Sequence, residues 1–146
     1  MDMHIKRGIK WGLLATLSMT VIMLIGMITK ISPMPAPIPV ALVKMAFGEL
    51  PKPALMGIGM LAHFIYGGVA GFIFSSLVKS SVNLWKGLGW GIILWLGMQL
   101  IFLPLLGWGI FGSAISPKSA VATLMLHLIY GSTLGWGLGR QYKITS

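Results

Sequence analysis

Two copies of one short pattern carry the residues with chemical potential in this chain. Residues 63–71 read H-F-I-Y-G-G-V-A-G and residues 127–135 read H-L-I-Y-G-S-T-L-G, so both fit H-x-I-Y-G-x-x-x-G. An imidazole can ligate a metal, carry a proton, or donate and accept hydrogen bonds. On a helix, Tyr66 and Tyr130 stand one turn beyond His63 and His127 on the same face. Gly67 and Gly71, like Gly131 and Gly135, share that face as small-x-x-x-small pairs, which let helix backbones approach closely. Each histidine is thereby delivered to a helix contact.

Three chemistries compete for the pair. In the first, each neutral imidazole hydrogen-bonds a tyrosine, a hydroxyl or a carbonyl across a helix contact and locks the helices together, at about 1 kcal/mol per bond. In the second, His63 and His127 are the axial ligands of one haem b, since equal depth on parallel helices suits bis-imidazole coordination. In the third, histidines and methionines form a path for Cu(I) or another small cation. Met19, Met23 and Met27 make a helical stripe for it, and Met56 and Met60 precede His63 at similar spacing. The lock is the reading adopted, and it expects the glycine faces around the two histidines to meet each other. Gln99 and the tyrosines Tyr66 and Tyr130 are the expected members of its polar network.

The elements that must position these residues repeat as well. Pro53 and Pro117 stand in register before the two histidines. The helix preceding each motif also recurs: Gly8-x-x-Trp11-Gly12 with Leu17 and Met19 answers Gly87-x-x-Trp90-Gly91 with Leu96 and Met98. Duplication of a two-helix hairpin explains the whole pattern, with repeat 1 at about 8–78 and repeat 2 at about 87–139. Gly57 and Gly137 lie outside the shared pattern and are expected to matter less.

Composition says where such hairpins live. Of the 146 residues, 56% are hydrophobic and 9% are charged, and the mean hydropathy is +0.90. Four apolar stretches, about 11–29, 54–78, 88–110 and 120–138, are long enough to cross a bilayer. The expected fold is an all-α polytopic four-helix membrane bundle, residues 1–146 forming a single transmembrane domain. The first stretch follows Lys6, Arg7 and Lys10 as a signal peptide would. Its recurrence inside the chain, with no small-residue cleavage site after it, marks it instead as a retained span.

The net charge of +9 sits at span ends, without a basic helix or an aromatic-interleaved patch, so no nucleic-acid partner is expected. Anionic lipid headgroups of the bilayer are the expected partners. With alternating spans, Lys6, Arg7, Lys10, Lys79, Lys86, Arg140 and Lys143 share one side, and Lys30, Lys44, Lys52 and Lys118 the other. That bias puts both termini in the cytoplasm and the chain in the inner membrane.

The missing residues narrow function further. Without cysteine there is no thiolate chemistry, and the only carboxylates, Asp2 and Glu49, fall outside the spans. A carboxylate pair, a bridged dimetal site and a carboxylate proton relay therefore have no members, and enzyme activity is not expected. The first interhelical loop is the longer. Its alternating prolines, Pro33 to Pro39, precede a short helix from Val40 to Leu50 that reads as a surface connector, or else as a lid or docking site. Pro104 should kink span 3 near its outer end. Trp95 is expected to face lipid or a subunit, and Thr16, Ser18 and Thr20 to bond back to carbonyls or across helices.

The pattern Gly12-x-x-Ala15-Thr16-x-x-Met19-Thr20, together with the H-x-I-Y-G-x-x-x-G of the last span, resembles an uncharacterised family of small four-span prokaryotic membrane proteins. The resemblance implies a compact helical membrane protein and transfers no catalytic residue. The expected role is non-enzymatic, as a structural or accessory subunit of a membrane complex or a homo-oligomer. The alternative is a haem b protein or a metal or small-cation transporter using His63 and His127.

Overall fold

A computed structural model describes residues 3–79 and 81–145, with side chains to Lys143; Asp2 lies outside the described residues. The described residues are all helix and loop, with four helices long and apolar enough to span a membrane. The chain runs through α1 (Met3–Ile28), the short α2 (Ile38–Phe47), α3 (Lys52–Val78), α4 (Leu84–Leu105) and α5 (Lys118–Thr145). Their outer faces carry exposed Leu, Ile and Val, as helices in contact with lipid require.

Each boundary has a local cause. Pro37 and Pro51 stand at the N-caps of α2 and α3, each with a further proline in the first turn, where the missing N–H costs no helical bond. Asn83 caps α4 by accepting the Lys86 N–H at 2.9 Å. Gly48 ends α2 at φ +75°, a left-handed turn in which its N–H reaches Lys44 O. α1 and α5 reach beyond the expected spans into the charged ends, because Lys6, Arg7, Arg140 and Lys143 have stems long enough to reach headgroups. Span 3 stops earlier than expected, at Leu105.

Pro104 explains that early stop. A proline has no N–H to give the preceding turn, and its ring crowds the carbonyl four residues back. Over Met98–Phe102 the helix widens to a π turn, in which the Leu103 N–H bonds Met98 O. The distortion thus lies just before Pro104, in the last third of the helix, and Gln99 within it is buried in the bundle.

Glycine decides which helices touch. Gly8 and Gly12 of α1 press on Gly67 and Gly71 of α3, where a Cβ on Gly71 would stand 2.6 Å from Gly12 Cα. Gly87 and Gly91 of α4 press on Gly131 and Gly135 of α5 in the same register, with Gly135 Cα 2.6 Å from a Cβ on Gly87. The glycine faces of α3 and α5 therefore meet their own hairpin partners and not each other, contrary to the arrangement that the histidine lock required. In both hairpins the pairing is antiparallel. α1 is also antiparallel to α5, through His4 with Tyr142 and Trp11 with Gln141. Hence α1 and α4 run the same way, and the seven cations of the sequence-based grouping do share one end.

The helices stand in the order α3, α1, α5, α4. α1 and α5 pack along much of their length, whereas α3 and α4 barely touch. Aromatic rings bridge that gap: Phe74 with Trp90, 5.9 Å between centroids, and Tyr66 edge-on to Phe102 at 6.3 Å. The buried core runs through Ala15, Met19, Ala70, Phe74, Tyr130, Leu134 and Leu138. α2 lies over the end of the bundle opposite the described termini and buries Val40 and Val43 on α3, with Val40 seated on Gly59.

Candidate functional site: a chamber around His63 and His127

Where α3 and α4 stand apart, the bundle forms a half-open chamber of about 480 Å³. α1 supplies Thr16 and the stripe Met19, Met23, Met27; α3 supplies His63, Tyr66 and Gly67; α5 supplies Thr123, His127 and Tyr130. Leu94, Met98 and Phe102 of α4 close the far side, and α2 with its proline-rich approach forms the roof. The helix after the prolines spans Ile38–Phe47, shifted from the expected Val40–Leu50, and turns Leu42, Val43, Ala46 and Phe47 toward the chamber. Lys44 points away and pairs with Glu49 at 2.8 Å.

Six methionines line this one space: Met19, Met23, Met27, Met34, Met98 and Met125. Their flexible, polarizable chains make a wall that adapts to an occupant. Met56 and Met60, expected to continue the path toward His63, pack instead beneath α2. Among the described residues no Lys, Arg, Asp or Glu faces the chamber, and none of them form a cluster of three or more His, Cys, Asp or Glu.

The two histidines share the chamber but not their surroundings. His127 is 6% exposed, and its Nδ1 lies 2.8 Å from the Thr123 carbonyl one turn back on α5. A carbonyl only accepts, so Nδ1 is the donor. Among the described residues His63 has no hydrogen-bond partner; its Nε2 is buried unpaired, and its ring stands edge-on to Phe64. Neither imidazole bonds across a helix contact.

Tyrosine makes the cross-helix bond. Tyr130 donates its hydroxyl to Gly67 O at 2.7 Å, joining α5 to α3, and the bare Gly67 leaves that carbonyl open. Tyr66, at the equivalent place, is 42% exposed and turned toward Phe102, so the two motifs are used differently. Gln99 joins neither tyrosine. Fully buried, it donates to Thr123 Oγ1 at 3.3 Å, and Trp95 donates to that oxygen at 3.2 Å and to Ala120 O at 3.1 Å. Trp95, expected against lipid or a subunit, therefore ties α4 to α5.

Thr123 is the residue that sequence reasoning missed. Its hydroxyl bonds Ser119 O at 2.7 Å while receiving Gln99 and Trp95, and its carbonyl fixes His127. The signal was present as a threonine four residues before a mid-span histidine. In α1, Thr16 and Ser18 bond back to Gly12 O and Leu14 O as expected, whereas Thr20 Oγ1 is buried without a partner.

The family model for a family of unknown function, DUF6789, matches residues 3–146. The chain belongs to that family. A relative is the uncharacterized protein YqhR of Bacillus subtilis strain 168, 25% identical over 91 residues, which are 60% of this chain and 51% of that protein. The chain thus spans about half the length of the curated relative it matches. No solved structure matches it.

Proposed function

We propose that this membrane protein is a non-enzymatic, accessory binding protein that holds a small neutral lipophile in the chamber between α1, α3, α4 and α5. The supporting observation is a roomy, largely apolar space lined by both histidines, one of which keeps a buried Nε2 without a partner among the described residues. Stranding such a group costs free energy unless a ligand or water satisfies it. Apolar chambers of a few hundred Å³ with a few convergent polar groups are how proteins take small molecules.

The lining favours a neutral occupant. A phosphate or carboxylate would meet no cationic side chain among the described lining residues, and the two propionates of haem b would lack the same partners. The volume suits an organic molecule better than a bare ion. Haem ligation by His63 and His127 remains the alternative supported by their sharing one chamber, and an absorption spectrum separates the two. Entry from the bilayer between α3 and α4, past Tyr66 and Phe102, accords with the loose packing there. The reading also takes the two hairpins to be a duplication, the membrane to be the cytoplasmic one, and both termini to face the cytoplasm.

The test is extraction of the purified protein, taken from membranes without detergent in polymer-bounded discs, followed by mass spectrometry. A stoichiometric neutral lipophile, lost when Met98 is replaced by Trp to fill the chamber, is the expected outcome. Recovery of bulk lipid alone from both forms would oppose the reading. A Soret band abolished by either His63→Ala or His127→Ala would establish the haem alternative.

A further inference from the structure

The tautomer of His127 defines what the occupant must offer. Thr123 O accepts the Nδ1 proton, so in the neutral ring Nε2 carries only a lone pair. That nitrogen makes no hydrogen bond to the described residues, although the side chain is all but buried. The protein has little to give it. The hydroxyl protons of Thr16, Thr123 and Tyr130 are committed to Gly12 O, Ser119 O and Gly67 O at 2.8, 2.7 and 2.7 Å. Tyr66 stands at the exposed margin against Phe102.

An acceptor without a donor, in a chamber without charge, asks for a specific partner. We infer that the ligand class is a neutral lipophile bearing a hydroxyl, an alcohol or phenol, whose O–H donates to His127 Nε2 while its apolar body lies against the methionine wall. The inference rests on the chamber being a ligand site and adds the polarity of the contact. A ligand with only acceptor oxygens, such as an ester or an ether, would face the lone pair of Nε2 and be disfavoured. His63, whose tautomer no protein bond fixes, can donate to or accept from a second polar atom. His127 is the selective member of the pair.

Two probes of nearly equal shape isolate the hydroxyl: 2,6-diisopropylphenol and 1,3-diisopropylbenzene. Each is titrated into the purified full-length protein in micelles, at matched mole fraction in the micelle, and binding is read from tryptophan fluorescence and the thermal midpoint. The phenol should bind about tenfold more tightly than the arene, the worth of one hydrogen bond to a buried acceptor. His127→Leu should bind both equally, and His63→Ala should keep the discrimination. Equal binding by the wild-type protein would overturn the hydroxyl inference and leave the chamber standing. Failure of both probes to bind would overturn the chamber reading as well. Discrimination that survives in His127→Leu would overturn the assignment to His127. Independently of any variant, 15N-histidine spectra of the wild-type protein should show an unprotonated Nε2 on His127 that shifts with the phenol and not with the arene. A protonated Nε2 in the free protein would overturn the inference.

Discussion

Replacing Gly71 by alanine puts one methyl group into a contact with no room for it. The new Cβ would lie 2.6 Å from Gly12 Cα, where carbons settle at roughly 3.5–4.0 Å. α1 and α3 would have to part by about 1 Å at their closest point, loosening the dispersion contacts around it. Overpacking of this kind costs about 1–3 kcal/mol, and Gly135→Ala, whose Cβ would lie 2.8 Å from Gly87 Cα, should cost the same. Gly57 is the internal control, because a Cβ there meets nothing within 4 Å. With no clash, Gly57→Ala should gain part of the roughly 1 kcal/mol by which alanine exceeds glycine in helix propensity. The variants should therefore separate by about 2–3 kcal/mol, in opposite directions from wild type. Titration of mixed micelles with a denaturing detergent, followed by tryptophan fluorescence and helical circular dichroism, resolves a gap of that size. Equal midpoints for Gly71→Ala, Gly135→Ala and Gly57→Ala would refute the close glycine contacts.

Gly137→Ala should be as damaging as Gly71→Ala, since its Cβ would run into the Trp11 ring; a neutral result would show that Trp11 does not seat there. Tyr130→Phe removes the bond to Gly67 O and should cost about 1 kcal/mol in the same titration. Thr123→Val keeps the shape but takes the acceptor from Gln99 and Trp95; it should cost about 2–3 kcal/mol, as a buried polar group left unpaired does. A reporter that works only outside the cytoplasm, fused after Ser146, should stay inactive given the seven-to-four cation bias.

The number of long helices was legible because it follows from local causes, apolar length and prolines at helix starts, whereas several limits moved by a turn or more. The glycine registers were legible too, since small residues four apart make a close-packing face on whichever helix carries them. Their partners were not. A G-x-x-x-G face declares that a neighbour comes close without saying which, so Gly67 and Gly131 suggested contact with each other when each meets its own hairpin mate. The histidines followed the same error. Their depth and inward direction could be read from the motif, but the open space before them arises from a gap between α3 and α4 that no local pattern states. Gly137 was undervalued because the residue that needs its bareness, Trp11, lies at the other end of the chain.

That gap has a cause in the way the two hairpins differ. Registering His63 on His127 sets Ile73 opposite Gly137, Phe74 opposite Leu138 and Leu77 opposite Gln141, while Trp11 answers Trp90. In the α1–α5 contact, Trp11 settles on bare Gly137 and donates to Gln141 Oε1 at 2.7 Å, so the two helices close. In the α3–α4 contact, the equivalent tryptophan meets Phe74 instead, and its Nε1 is buried with no partner where the matching position holds leucine. Two bulky rings meet there, with Ile73 at the position matching the glycine seat, and the backbones stay apart. Like sequences thus make one closed and one open helix contact, and the open one leaves room for the chamber on which both histidines face. A pair of hairpins packed with perfect twofold symmetry would close both contacts and bury the imidazoles against protein. The differences between Ile73 and Gly137, Phe74 and Leu138, and Leu77 and Gln141 thus fall at the two helix contacts that differ, one closed and one open.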